Sequence, residues 1–427
     1  MRGWFCSHIN VMPASTHCNT RSACCRHKTA KVRGMHIGIV TETYPPETNG
    51  VALTVQSMVQ GLRARGHSVH LVRPRQRDEA DADDTMLAPA AAIPGYATLR
   101  FGWPVDRRLK RAWRARRPDA IYVATEGPLG ACALRCARRL GIPATTGFHT
   151  RFDHYATHYG LGWLTPLVRA YLRRFHRRAA ATLVPTDALA RELRTLGVEN
   201  VRLLHRAVDT VQFDPVHRDD ELRAQWGASE RTPVMLYVGR IAPEKNLQLA
   251  IHAYYAMRQR CPDLRYVWVG DGPAREAVQR AHPEFVFMGM QHDEALARCY
   301  ASADVFVFPS RSETFGNVIL EALASGLPTV AFDSGAAHEH VRSGHNGYLI
   351  DDGDEAAFTA ACVKLIRDER YRDMRASARG SVAALNPDAV IADFETLLLG
   401  VHASGRAPRQ ARALGFTGHP RDSGART

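Results

Sequence analysis

The sequence predicts an α/β chain built as two doubly wound, Rossmann-like halves, and three observations carry that expectation. Its 427 residues are about three times the usual domain length of roughly 100 to 150. From Met35 onward, short apolar runs alternate with longer amphipathic ones, the pattern of βα units around a parallel sheet. That series occurs twice, and a polar, charge-rich stretch at 214–231 separates the two occurrences.

The first half is expected to use strands at 36–42, 68–73, 120–125, 144–149, 182–185 and 201–205. Three-to-four spacing of apolar residues predicts helices between them at 51–65, 128–140 and 164–178. The second half repeats the scheme with strands at 233–238, 266–269, 285–287, 305–308, 329–332 and 348–350, and helices at 247–260, 294–303, 317–324 and 355–367. A last helical stretch at 390–399 follows Pro387 and can pack on either half. The expected domains are therefore 35–210 and 211–400, joined near 210–232. Residues 401–427, rich in Gly, Ala, Arg and Pro, bury too little apolar surface to order themselves and are expected to form a disordered basic tail.

Composition excludes several classes of function. The net charge of +13 suggests nucleic-acid binding until it is divided along the chain. Residues 1–34 carry +6 and residues 401–427 carry +4, which leaves +3 for the body and no expectation of a nucleic-acid partner. The longest apolar run, 86–99, falls short of the ~18 residues of a membrane span and contains Pro89 and Pro94. Four of the nine cysteines, Cys6, Cys18, Cys24 and Cys25, lie in the first 34 residues, and the rest are scattered, which is no disulfide framework and suits a reducing cytosol. Cys18, Cys24, Cys25 and His27 have no standard zinc-finger spacing. Met35 directly precedes the first convincing strand, so residues 1–34 are expected to be a disordered extension ahead of the natural start.

Two Rossmann-like halves that face one another make a cleft at the carboxyl ends of their strands, so the informative residues should lie just after strands. The first strand ends in Thr41-Glu42-Thr43-Tyr44-Pro45-Pro46, then Thr48-Asn49-Gly50-Val51 opens a helix. Glycine at a helix mouth lets a phosphate approach free N–H groups, although an ordinary strand-to-helix turn reads the same. Val238-Gly239-Arg240 closes a strand, and Pro243-Glu244-Lys245-Asn246 precedes a helix, so two cations five residues apart can converge on one diphosphate. After the strand at 305–308 comes Ser310-Arg311-Ser312-Glu313-Thr314-Phe315-Gly316-Asn317-Val318, then a helix whose Val318, Leu320 and Leu323 are expected to face the sheet. Glu313 sits in the loop and Glu321 on the helix. A carboxylate one turn into a helix can accept from both hydroxyls of a ribose, while the free N–H groups of residues 315–318 point at sugar or phosphate oxygens. Asp81-Ala82-Asp83 matches a metal-binding Asp-x-Asp but lies in an acidic loop and reads as a solvated charge run. Arg107, Arg108, Lys110, Arg111, Arg114, Arg116 and Arg117 interleave with Leu109 and Trp113, and Arg173, Arg174, Arg177 and Arg178 mark a second basic helix. Both fit either an anionic bilayer or a solvated face.

Glu313 and Glu321 form an E-x7-E element, and at this point the chain resembles the retaining glycosyltransferases of family 4, which have the GT-B fold. The resemblance runs through Pro45-Pro46 with Asn49-Gly50-Val51, Gly147-Phe148-His149-Thr150, Arg206-Ala207-Val208-Asp209, Val238-Gly239-Arg240 with Glu244-Lys245-Asn246, Val269-Gly270-Asp271-Gly272-Pro273 and Asn346-Gly347. Thr125-Glu126-Gly127-Pro128-Leu129-Gly130 and Phe148-His149-Thr150-Arg151-Phe152-Asp153 look most like the GDP-mannose-dependent α-mannosyltransferases that act on lipid acceptors. Ala207 departs from the glycine that commonly precedes Val-Asp.

The resemblance implies that Arg240 and Lys245 hold the donor diphosphate, that Glu321 takes the ribose, and that Glu313 with the backbone of residues 315–317 positions the hexose. His149 is similar to a family histidine near the sugar, and residues 287–293 are where such proteins contact the base. The implied catalytic set is Arg240, Lys245, Glu313 and His149. The implied donor-binding set is Gly50, Gly239, Phe315, Gly316, Asn317, Val318 and Glu321. Residues 35–210 would then be the acceptor domain and 211–400 the donor domain. The expected partners are a nucleotide sugar, with GDP-mannose favoured, and a lipid acceptor at the inner, anionic face of the cell membrane, with the enzyme in the cytoplasm and peripherally attached. No cofactor and no metal ion are expected. A UDP-sugar transferase acting on a soluble glycan, and a nucleotide-sugar epimerase or hydrolase of the same fold, remain open at this stage.

Overall fold

The computed structural model describes residues 34–47, 49–76, 79, 82–93, 96–149, 165–311 and 313–406. Expectations placed on residues 1–33, on Asp81, on residues 150–153 and on the tail beyond 406 lie outside that set. The first sheet contains β1 (His36–Val40), β2 (Ser68–Pro74), β3 (Thr85–Ala88), β6 (Ala120–Val123), β7 (Ala144–Gly147), β8 (Ala181–Val184) and β9 (Val201–Leu203), with β4 (Ala90–Ile93) and β5 (Tyr96–Gly102) forming a separate antiparallel hairpin. Its strand order is β3-β2-β1-β6-β7-β8-β9, parallel throughout. The second sheet contains β10 (Val234–Val238), β11 (Arg265–Val269), β12 (Val286–Gly289), β13 (Val305–Phe308), β14 (Thr329–Phe332) and β15 (Gly347–Ile350) in the order β12-β11-β10-β13-β14-β15, again parallel. Helices cover both faces of a parallel sheet, which is why β6, β7, β8, β10, β13 and β14 are buried at every position, β6, β10 and β13 reading as apolar runs and the others taking in threonine.

Three features differ from the sequence expectation. First, the 86–99 run supplies the edge strand β3 and the hairpin. Pro89 falls between β3 and β4, where no ladder hydrogen bond is interrupted. Second, the 214–231 stretch includes a helix, Asp220–Gln225, that sends Leu222 and Trp226 into the second core. Its buried Arg223 donates to Ser302 O at 2.6 Å and to Asp304 Oδ2 at 3.1 Å, so this polar stretch carries a paired internal charge and is more than a linker. Third, the last helix spans Pro387–Arg406, so residues 401–406 are helical where a disordered tail was expected. Beyond Leu398 it is held by His402, whose Nδ1 donates to Asp119 O at 2.8 Å, and by Gly405 lying against Pro143.

The last helix packs on the first half although its sequence follows the second. Val390, Ile391, Phe394 and Leu398 join the core formed by β1, β6 and the helix Gly50–Ala64. Gly61 permits this contact, since a Cβ there would stand 2.6 Å from Ile391 Cγ1. Glu395 fixes the helix in place by accepting from Arg65 Nε at 2.6 Å and His67 Nε2 at 2.9 Å; Met35 N donates to the other ring nitrogen of His67. Phe394 meets the ring of Tyr122 edge-on at 5.0 Å.

In the basic 107–117 stretch, the helix is Asp106–Ala115, and Leu109 and Trp113 are buried. Its apolar residues are committed to the protein core. In the helix Thr165–His176, Leu172 and Phe175 turn inward while Leu167 and Tyr171 are exposed among Arg169, Arg173 and Arg174. Phe394→Ala removes a fully buried ring and should cost about 3–5 kcal/mol of unfolding free energy, measured by urea denaturation. A loss below ~1 kcal/mol would show that the last helix is not part of the first core.

Candidate active site

In an open parallel sheet a ligand crevice forms where the strand order reverses. That reversal falls between β1 and β6 in the first sheet and between β10 and β13 in the second. The loops leaving β1, β10 and β13 all reach one cavity of about 460 Å³. A larger groove of about 1030 Å³ opens at the opposite, amino-terminal ends of β7 and β8, lined by Arg138, Pro143, Arg178 and the last helix, and no acidic side chain lines it among the described residues. The carboxyl-end cavity is therefore the candidate site.

Two helix amino-termini meet at it. The helix Gly50–Ala64 begins against the helix Asn317–Ala324, so closely that a Cβ on Gly50 would stand 3.3 Å from Asn317 Nδ2. Asn49 caps the first helix, its Oδ1 accepting from Val51 N and Ala52 N. The second has no side-chain cap and no acid in its first turn. It starts at Gly316 with φ of 90°, a left-handed conformation that suits glycine. The inward residues of this helix include Ile319, Leu320 and Leu323, whereas Val318, expected to face the sheet, stands about 200° round from Leu320, is only partly buried and lines the cavity. An uncapped amino-terminus presents unpaired N–H groups and the positive end of the helix dipole to whatever fills the cavity.

The cavity is lined by Gly50, His149, Gly239, Arg240, Lys245, Glu313, Phe315, Gly316, Asn317 and Val318 from the sequence-derived set, and by Asn49, Arg206, Glu244, Phe308 and Thr314 among others. Two of its cations pair with its two glutamates. Lys245 Nζ donates to Glu313 Oε1 at 2.5 Å, and that oxygen also accepts from Ser310 Oγ at 3.1 Å. Arg240 pairs with Glu244 at 2.9 Å, with its side chain 47% exposed. The exposed Arg240 pair is worth about 0–1 kcal/mol, so a diphosphate of higher charge can displace Glu244, whereas the Lys245–Glu313 pair is more sheltered, with side chains 16% and 20% exposed.

Glu321 is the member of the set that does not line the cavity. One turn into its helix, it accepts from the Tyr300 hydroxyl at 2.9 Å. Burial pushes its carboxyl up to about 7, against the opposing effect of that hydrogen bond. Residues 287–293 do not line the cavity either.

His149 has no spare ring nitrogen. Nε2 lies 2.6 Å from the Tyr122 hydroxyl and Nδ1 lies 2.7 Å from Arg206 NH2. A guanidinium only donates, so Nδ1 is the acceptor and Nε2 carries the proton. Burial, then the Arg206 charge, hold this imidazole well below its usual range, and it stays neutral. Arg206 was present in a quoted motif but had no role in the sequence-derived set. The available signal was its position, an arginine three residues past the end of an apolar strand at the cleft edge.

The family model described as Glycosyltransferase Family 4 matches residues 48–212, and that described as Glycosyl transferases group 1 matches residues 232–368. A GDP-mannose-dependent alpha-mannosyltransferase of Mycolicibacterium smegmatis is 36% identical over 375 residues, covering 85% of this chain and 98% of that protein. The chain is a family 4 glycosyltransferase. A protein of the same description from Mycobacterium tuberculosis is 33% identical, over 89% of this chain and 99% of its own length. Among solved structures, sucrose-phosphate synthase from Thermosynechococcus elongatus superposes with a TM-score of 0.69 at 19% identity, covering 87% of this glycosyltransferase and all of that chain. Anabaena HepE in complex with UDP gives 0.69 at 18% identity, covering 86% and 100% of the two chains. The fold is GT-B, two Rossmann-like α/β domains.

The raised Glu321 carboxyl fixes the sign of a stability test. The folded enzyme binds this proton more tightly than the unfolded chain, so the contribution is fully present below the ordinary value of 4.5 and is lost as pH rises through about 7. Glu321→Gln keeps an acceptor for Tyr300 and titrates nothing. Relative to the wild type, it should gain about 1–3 kcal/mol between pH 5 and pH 8, measured by denaturant unfolding at both values. An equal difference at the two pH values would mean that the carboxyl ionises normally.

Proposed function

We propose that this glycosyltransferase moves mannose from GDP-mannose onto a lipid-borne acceptor at an anionic membrane surface, with retention of configuration and without a metal ion. The observation that carries the reading is the convergence of Arg240, Lys245 and an uncapped helix amino-terminus on one cavity. Breaking the bond between an anomeric carbon and a diphosphate puts negative charge on the leaving oxygens. Donors preorganised at that position are typically the largest catalytic contribution. Fixed cations supply the electrostatic function that a divalent ion serves elsewhere. Glu313 and Glu244 release their cations to the incoming phosphates, and Glu313 is then placed to orient the hexose. Glu321 lies one turn further in and takes the ribose hydroxyls.

Retention is best supported by same-face attack, in which the departing phosphate oxygen accepts the acceptor's proton. The two carboxylates lining the cavity are both drawn onto cations, and His149 is neutral with both ring nitrogens engaged, so none of the three is set up as an attacking group or a base. For the donor and acceptor, support comes from the relatives' names: GDP-mannose-dependent alpha-mannosyltransferases, and an alpha-monoglucosyldiacylglycerol synthase of Streptococcus pneumoniae at 27% identity. Among the described residues no helix is long and apolar enough to cross a membrane. The exposed Leu167 and Tyr171 among arginines give a surface that a bilayer headgroup region would accept, which favours peripheral attachment through the first domain. In this reading 35–210 is the acceptor domain and 211–400 the donor domain.

Incubation with GDP-mannose, UDP-glucose and UDP-N-acetylglucosamine, each with a membrane lipid extract, tests the reading. Label should enter lipid from GDP-mannose and persist in EDTA. Sugar released without any labelled lipid would indicate a hydrolase or epimerase instead. Lys245→Ala should lower kcat about 100- to 1,000-fold, whereas Glu321→Ala should chiefly raise the donor KM, more above pH 7 than below it. Wild-type turnover in both variants would remove the assigned site.

A further inference from the structure

Arg206 is 5% exposed, carries a permanent charge and lines the cavity. Its NH2 is used on His149, but its Nε and NH1 are buried with no partner among the described residues. Both carboxylates that line the cavity are held elsewhere, Glu244 by Arg240 and Glu313 by Lys245. A buried guanidinium without a counter-ion is costly, and buried donors without partners are rare in folded proteins unless a ligand, ion or water completes them. Its charge persists at neutral pH, for burial draws it down only to about 10.

The surroundings fix the group firmly. His149 is braced by Tyr122, and Tyr122 by Phe394 of the last helix, so the guanidinium has a rigid backing on its NH2 side. The start of the helix Gly50–Ala64, from the same domain, lines the same cavity and adds its positive dipole end. On the other domain, Arg240, Lys245 and the Asn317 helix already supply charge for one diphosphate.

We infer that Arg206 forms a second oxyanion subsite in the cleft, on the wall contributed by the first domain, and that its Nε and NH1 bind a phosphate or carboxylate group of a substrate. This rests on the glycosyl-transfer reading above. The oxyanion has two possible sources, the donor's diphosphate and an acidic group on the lipid acceptor, and two measurements distinguish them.

The experiment compares the wild type with Arg206→Met and Arg206→Lys, after unfolding curves establish that each variant is folded. GDP binding is measured by calorimetry, which needs no turnover. Transfer from labelled GDP-mannose is measured with a membrane lipid extract separated by anion exchange into acidic and neutral fractions. Loss of a hydrogen-bonded charge should weaken the affected step about 10- to 100-fold. If the acceptor brings the oxyanion, Arg206→Met loses labelling of the acidic fraction by that factor while GDP affinity stays within twofold. If the donor brings it, GDP affinity falls by that factor and both lipid fractions lose label together. Arg206→Lys should recover part of either loss. Unchanged GDP affinity together with an unchanged acidic-to-neutral ratio would overturn the inference and leave Arg206 as a brace for His149. Should the wild type label no lipid with any donor, the transfer reading fails, and the GDP titration alone then decides Arg206: an unchanged affinity rejects the subsite.

Discussion

Positive charge fixed in place before any ligand arrives is the constraint around which the cleft is built. Parallel sheets send the amino-termini of their following helices toward the carboxyl edge, and here two such termini meet where Gly50 touches Asn317. Arg206, Arg240 and Lys245 stand around that junction. Glu244 and Glu313 neutralise two of the three, the first through an exposed contact and the second through a sheltered one. Each of these two glutamates thus holds a cation that a phosphate of higher charge would also attract.

Much of this was legible from spacing. The helices at 128–140 and 317–324 and the strand at 305–308 appear with the expected bounds, because apolar periodicity and the Gly-Pro and Gly-Asn punctuation around them agree. The site residues were legible for a topological reason: a residue just past a parallel strand lies at the cleft edge whatever its side chain does. Side-chain partnerships were not legible. Nothing in the E-x7-E spacing announces that Glu313 meets Lys245, 68 positions away, or that Glu321 rests on Tyr300. Those pairings are set by how helices stack on the sheet, a tertiary property. Val318 was misassigned because it lies two positions from Leu320, about 200° round the helix, so the two cannot face the sheet together.

The basic stretches show the same limit from the other side. Composition alone could not separate the 107–117 segment, whose Leu109 and Trp113 are inside, from the Thr165–His176 helix, whose Leu167 and Tyr171 are outside. Both have arginine at nearly every turn. Only the direction of the apolar side chains distinguishes a helix that hides its grease from one that displays it, and that direction depends on which sheet face lies beneath.

The return of the last helix to the first domain affects how the chain is made. Domains tend to fold as they leave the ribosome, the earlier one first. Here the earlier domain lacks Val390, Ile391, Phe394 and Leu398 until those positions are reached, so its apolar groove along the Gly50–Ala64 helix stays uncovered while the whole later domain is translated. The order of assembly is consequently that of a clasp: the later domain can close upon itself, and the earlier one is sealed last. A nascent chain halted before residue 387 would expose that groove to chaperones, and a ligand cleft fully backed through Phe394 and Tyr122 exists only once the last helix has docked.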